Sequence, residues 1–406
     1  MLAPLLLTLA AAPKPAALDL PPNVAVFAAP QDPGAANATG RAELEMVRAL
    51  RRKTVSLADV DEAFPPPPPA SDEEGLKLFA EGKQAYDNLD TDGAAKALTN
   101  AAVWFIKHPE AATPEKLSDI FIFLGASELA NGAKKEAQKE LARAIEMNPA
   151  AQPDPKFFDK DVQALFAAAK KELQSRPKGT IQVSSEPSGA EVTIGGESRG
   201  ITPIDKIELA AGRYVVTFTR PGFARTAAFP EVKEGKDLEV KQKLVTSNAY
   251  QALRDKAAGL INKSTLTATT RLPLAAEDVG KALKSRYLVM VAVATGAGGT
   301  TCTAYTWDLN TGNRLNDVSF AVDADGESAL KAAEKIREWI NTANTAVAAL
   351  PPPPPEAVQP SAGGPVYKQW WFWTAVGAVV VAGGVTAGVV AAQPHDQGFN
   401  VLLARP

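Results

Sequence analysis

The stretch GTIQVSSEPSGAEVTIGGESRGITP, residues 179–203, decides how the middle of this chain folds. Thr180-Ile181-Gln182-Val183-Ser184 and Glu191-Val192-Thr193-Ile194 alternate apolar and polar side chains, the period of a strand with one buried face. Further on, Arg213 to Thr219 (RYVVTFT) and Asp237 to Leu244 (DLEVKQKL) repeat that alternation. The joints between strands fall at Pro187-Ser188-Gly189-Ala190, Gly195-Gly196, Gly200-Ile201-Thr202-Pro203, Gly212 and Pro221-Gly222-Phe223. There, glycine admits positive φ and Pro203 fixes a turn. A small all-β unit over 179–245 is predicted.

Toward the N-terminus the period changes to that of helices. Across 72–176, apolar residues recur at helical spacing with breaks at Pro109, Pro114 and Pro149. Leu78, Gly82, Ala94, Leu98 and Ala101 recur at identical intervals as Phe121, Gly125, Ala137, Leu141 and Ala144. Two helical hairpins are expected, with a capping helix around Asp159 to Leu173.

Toward the C-terminus, 250–348 reads as an α+β unit. Its predicted elements are a helix to Ile261, a helix near Ala276 to Leu283, and the strand Tyr287 to Ala294. The strands Thr301 to Trp307 and Val318 to Val322 flank the turn signal Asp308-Leu-Asn-Thr-Gly312-Asn, and Ser328 to Ala348 closes the unit as a helix. Residues 18–64 carry one more strand, Asn23 to Pro30, and a helix, Arg41 to Arg52. The fold class expected of the whole is multidomain α+β.

Proline runs separate the parts. Pro65 to Pro69 lies in a linker over 65–71, and Pro351 to Pro355 begins a semi-rigid spacer over 349–367. Beyond the spacer, Trp370 to Ala392 carries no charge and is long enough to cross ~30 Å of hydrocarbon, so a transmembrane helix is expected. Trp370, Trp371 and Trp373 stand where rings settle at the headgroups, and Gly384 and Gly388 form a small-xxx-small face through which two copies would pair. Residues 393–406 form a tail. Residues 1–17 open with a short apolar run ending in small residues, the pattern of a secretory signal, although no basic residue precedes it.

Composition excludes several classes. The formal charge is −3, with acids and bases mixed throughout, so no basic stripe suits nucleic acid. One cysteine and two histidines make neither a disulfide framework nor a Cys/His metal cluster. Cys302 reads as a buried apolar side chain. Gly296-Ala-Gly298-Gly299-Thr300 joins two strands and opens no helix, so it is a hairpin loop and not a phosphate cradle. Acid pairs such as Glu73-Glu74 and Asp323/Asp325 fall at helix starts or turns, where solvated charge is the default. No catalytic, cofactor or metal constellation emerges.

Three resemblances follow from these residues. The ordered joints, with motif residues Pro187, Ser188, Gly189, Ala190, Gly196, Gly200, Thr202, Pro203, Gly212 and Gly222, make 179–245 similar to the PEGA domain, a β-sandwich module of bacterial envelope proteins, with Ser188 in place of the family's glutamate. The paired helical sets resemble tetratricopeptide repeats. That resemblance implies a concave face for a protein or extended peptide, here including Phe79, Lys83, Tyr86 and Ile122. Ser285 to Val291 with the hairpin carrying Trp307-Asp308 is similar to the N-terminal domain of Tol-system proteins, and 23–52 resembles the opening strand and helix of the same domain, so the two segments would fold together.

The whole arrangement resembles proteins of myxobacterial type. It implies a non-enzymatic protein-binding scaffold anchored in the inner membrane by one helix, its body in the periplasm. The alternatives are a tail-anchored signalling or secretion accessory with a cytoplasmic body, and an enzyme whose site is unrecognised.

Overall fold

The computed structural model describes residues 18–69, 71–267, 272–296, 299–323 and 325–348. The expected signal at 1–17, the spacer, the helix 370–392 with Trp370, Trp371, Trp373, Gly384 and Gly388, and the tail lie outside them. No helix among the described residues is long and apolar enough to cross a membrane. The described residues from Leu20 to Thr345 belong to one compact unit.

That unit begins with β1 (Val24–Pro30), a 3-10 turn, α1 (Ala36–Arg52) and α2 (Val60–Ala63). The helices α3 (Glu73–Asp87), α4 (Thr91–Lys107), α5 (Pro114–Ala130), α6 (Lys134–Met147) and α7 (Lys160–Ser175) follow. Their starts are written locally. Asp90, Thr113 and Asp159 each accept a hydrogen bond from a backbone N–H three residues on, and Pro114 takes the first helical position.

The repeated glycines mark equivalent packing in the two hairpins. A Cβ on Gly82 would stand 2.6 Å from Leu98 Cγ, and one on Gly125 would stand 2.7 Å from Leu141 Cγ. Both glycines therefore let one helix of a pair seat a leucine of the other.

Nine short strands come next: β2 (Lys178–Glu186), β3 (Glu191–Ile194), β4 (Glu197–Ile201), β5 (Ile204–Ala210), β6 (Gly212–Arg213), β7 (Val216–Thr219), β8 (Thr226–Ala228), β9 (Glu231–Val232) and β10 (Asp237–Lys243). They form sheets ordered β10-β2-β5 and β4-β3-β7-β8, with the small pair β6-β9. Ile181, Val183 and Ile207 of the first sheet share a core with Val192, Ile194, Val216 and Phe218 of the second.

Two predictions are corrected here. The expected single strand Arg213 to Thr219 is interrupted at Tyr214-Val215, because Arg213 pairs with Glu231 of β9 while Val216 to Thr219 pair with β3. The expected joint at Gly200-Ile201 lies inside β4, so the turn narrows to Thr202-Pro203 and β5 follows it.

The remainder is α8 (Asn248–Leu260), α9 (Lys263–Leu266), α10 (Leu274–Ala282), β11 (Tyr287–Gly296), β12 (Gly299–Asp308), β13 (Asn313–Ala321) and α11 (Glu327–Ala348). The last strand starts five residues before the expected Val318, because Asn313 and Arg314 already pair with Asp308 and Trp307.

β1 lies parallel to β11, from Val24 opposite Tyr287 to Pro30 opposite Val293, in a sheet ordered β1-β11-β12-β13. The first seven residues of β11 are all buried, as expected of a strand covered on both faces. On one face Val24, Ala28, Val289 and Val291 pack with Met46 and Leu50 of α1 and Ile336 of α11. On the other, Ala25, Phe27, Leu288 and Met290 join α8, α10 and the β-sandwich in one continuous apolar cluster. In chain order the helical segment and the sandwich are therefore inserted between β1 and β11, which pair directly in one sheet.

Candidate functional site: a junction built on the sandwich turns

The sandwich touches its neighbours through its turns. One turn is organised by Thr202, fully buried, whose hydroxyl accepts from Gly189 N at 3.0 Å and Ala190 N at 2.9 Å. It lies 2.6 Å from Ser185 Oγ, which in turn donates to Pro187 O at 2.8 Å. This chain explains why Thr202 and Pro187 to Ala190 occur together: the hydroxyl accepts from buried Ala190 N and shares Gly189 N with the Thr202 carbonyl, 3.1 Å away.

The same turn docks on α1. A Cβ on Gly40 would come 2.0 Å from Ser188 O, and one on Gly189, whose φ is +87°, would come 2.2 Å from Gly40 O. The two backbones meet only because both residues lack a side chain.

Behind this contact lies a buried ion cluster. Glu43 of α1 accepts on Oε1 from Arg220 Nη2 at 2.9 Å and from Arg254 Nη1 at 2.8 Å. Its Oε2 accepts from Arg254 Nη2 at 3.2 Å and from Ala28 N of β1 at 2.9 Å. Arg220, which follows β7, also donates to Ser188 O. One carboxylate thus ties α1, β1, the sandwich and α8.

Burial alone would raise the Glu43 carboxyl, but the two guanidiniums and their hydrogen bonds hold it down at about 2. Arg254 is pushed up despite burial by Glu43, whereas burial pulls Arg220 down. The cations share an aromatic platform, with Phe223 within 5.2 Å of the Arg220 guanidinium and 5.9 Å of that of Arg254. Phe223 meets Tyr250 edge-on, at 5.9 Å between centroids.

Two further turns complete the junction. Gly222, with φ +79°, lies so close to Tyr250 that an added Cβ would meet the ring at 2.2 Å, and its N–H donates to Asp61 at 2.7 Å. On the helical side, buried Glu146 of α6 accepts from Arg176 Nη1 at 2.7 Å and from Arg213 N at 3.0 Å. Gly212 packs directly on that carboxyl, and burial raises its pKa.

Of the expected motif residues, Gly189, Gly212 and Gly222 are docking points, Pro187, Ser188, Ala190, Thr202 and Pro203 build the Thr202-centred turns, Gly196 has nothing within 4 Å of an added Cβ, and Gly200 pairs with Val192 inside the sandwich. Glu43, Arg220 and Arg254 were not expected. One signal was available: Glu43 shares a helical face with Met46 and Leu50, and a carboxylate on an apolar face needs a buried partner.

The predicted concave face is only partly open. Phe79 and Tyr86 meet Phe123 edge-on at 5.9 and 5.6 Å, and the Lys83 ammonium lies 5.0 Å from that ring. Ile122, 3% exposed, is a core residue and offers no surface. Phe158 fills the cluster from the segment before α7, 4.8 Å from Phe123, while its neighbour Phe157 remains 62% exposed, 5.9 Å from Lys83.

Among the described residues, no group of three His, Cys, Asp or Glu side chains is placed to hold a metal ion. Cys302 is fully buried in β12, and burial pushes its thiol up to about 12. His108 is stacked on Trp104 with centroids 4.0 Å apart. The acids Asp323 and Asp325 accept from Ser328 N and Glu327 N at the start of α11.

No curated protein and no solved structure matches the chain. The sandwich does match a known family, over a range that takes in all of β2 to β10 and the turns that build the junction. Residues 178–248 are a PEGA domain.

Proposed function

We propose that the protein is a non-enzymatic envelope scaffold, in which the PEGA domain locks a tetratricopeptide-like helical segment to the sheet-based α+β unit. The observation that carries this reading is the use made of the PEGA turns. Gly189, Gly212 and Gly222 are spent on contacts with α1, α6 and α8, where a module acting alone would leave them facing solvent. A continuous apolar cluster and the Glu43 ion cluster reinforce the same joint.

The partner would lie on the helical face around Phe79, Lys83, Tyr86 and Phe157, whose mixture of rings and one ammonium suits an extended peptide. The segment 370–392 would anchor the body at the periplasmic side of the inner membrane, with Gly384 and Gly388 pairing two copies. Cofactors and nucleic acid have no part in this reading.

A photo-crosslinking residue in place of Lys83, compared in living cells with one in place of Lys206 on β5, tests the binding face. A discrete adduct at position 83 alone is expected, and equal or absent adducts at both positions overturn the reading. A compartment-sensitive reporter joined after Ala348 tests the orientation, and activity on the cytoplasmic side would overturn the periplasmic placement.

A further inference from the structure

Two guanidiniums and one carboxylate meet in the junction, with 4% of the Arg220 side chain, 15% of Arg254 and 10% of Glu43 exposed. All the acceptor capacity of Glu43 is used by the four donors described above. The cluster's other neighbours include the Ser188 carbonyl, the Phe223 face and Tyr250, whose phenol burial keeps protonated at neutral pH; Asp61, which lines an adjoining cavity with Arg220 and Glu43, accepts from Gly222 N. The cluster therefore holds one more positive charge than negative, in surroundings where an unpaired charge is costly.

Arg220 and Arg254 both line a cleft of about 900 Å³ between α1, α8 and the PEGA strands β2 and β10. Lys241 and Lys243 line it too, as do Glu186, Glu239 and Asp255. The two lysines and the two glutamates lie on the sandwich strands and offset one another. Asp255 is exposed and accepts from Gln251 Nε2 at 2.8 Å, so water screens it. None of the three acids is hydrogen-bonded to the buried guanidiniums.

We infer that the cleft is an anion site, in which a carboxylate or phosphate group on a ligand completes the Glu43–Arg220–Arg254 cluster. Arg254 donates twice to Glu43, and Arg220 donates once to Glu43 and once to Ser188 O, so each guanidinium keeps N–H groups beyond these for such an anion. One anionic group balances the surplus charge of the three-residue cluster. This inference does not depend on the scaffold reading, because the cleft and the helical partner face are lined by different residues.

The test uses the full chain at neutral pH and constant ionic strength, with phosphate replacing chloride. Phosphate stabilises folded proteins generally by exclusion from their surfaces, so the readout is the difference between variants. The wild-type midpoint is expected to rise about 2 °C further than that of Arg254→Leu, whose remaining Glu43–Arg220 pair is neutral. Glu43→Gln, left with two unbalanced guanidiniums, should gain more than wild type.

Equal shifts in all three proteins overturn the inference. A phosphorus NMR titration of inorganic phosphate against the wild-type chain gives an independent result if a variant does not fold. Saturable line broadening or shift supports the site, and its absence overturns it. Repeating both measurements with acetate separates a carboxylate site from one that requires phosphate.

Discussion

Replacing Glu43 by glutamine removes the charge that two buried guanidiniums share while keeping the side chain's size. The carboxyl is held at about 2 against an ordinary value of 4.5. At about 1.4 kcal/mol per pH unit of that difference, the folded state gains about 3 kcal/mol from its ionisation at neutral pH. The same order follows from the cost of leaving a buried ion without its partner, about 3–5 kcal/mol. Because the folded value is depressed, the contribution is complete above pH 4.5 and disappears as pH falls toward 2. Urea titrations of wild type and Glu43→Gln at pH 7, 4.5 and 3 measure both effects. The variant is expected to unfold with about 3 kcal/mol less stability at pH 7 and with a gap that closes as the solution is acidified. A loss below about 1 kcal/mol, or a gap that stays constant down to pH 3, would refute the assignment of Glu43 as the joint's central ion.

Other predictions concern the turns, the thiol and the aromatic cluster. Gly222→Ala should cost about 2–5 kcal/mol, combining a left-handed alanine with overlap on Tyr250, whereas Gly196→Ala, with φ +84° and nothing within 4 Å, should cost only about 1–2 kcal/mol; urea midpoints compare them. Cys302, buried and with its thiol at about 12, should resist iodoacetamide at pH 8 in the folded chain and react fully in urea, as mass spectrometry would show. Phe158→Ala should cost about 3–5 kcal/mol and Phe157→Ala no more than about 1 kcal/mol, since the first fills the cluster and the second lies over Lys83 in solvent.

What could be read from the sequence follows the range of the interactions that fix each part. β2, β3 and β10 keep a strict alternation, so their period identifies them. The helix starts at Thr91, Pro114 and Lys160 follow from capping side chains one residue upstream. β4 and β5 were hidden because Gly200, Thr202 and Pro203 carry the composition of a loop, although Gly200 pairs with Val192 of β3 and Ile204, directly after the turn, pairs with Val183 of β2. Arg213 to Thr219 looked continuous because alternation does not reveal a change of partner strand. The ion cluster was out of reach for a different reason: Glu43 is separated from Arg220 by 177 positions and from Arg254 by 211, and only the assembled fold brings them together. Ile122 was misplaced because every residue of α5 from Ile120 to Ser127 is buried, so this stretch of the helix has no open face.

The parallel pairing of β1 with β11 also sets a timetable. Val24 cannot find Tyr287 until the intervening chain has been synthesised, which at about 5–20 residues per second takes roughly 15–50 s. During that interval the helical hairpins, built from neighbouring segments, can close, while the apolar strand Val24 to Pro30 has no sheet to enter. Of the described strands, β1 is made first and is among the last to be buried, and keeping it unpaired until then is a task for whatever accompanies the nascent chain.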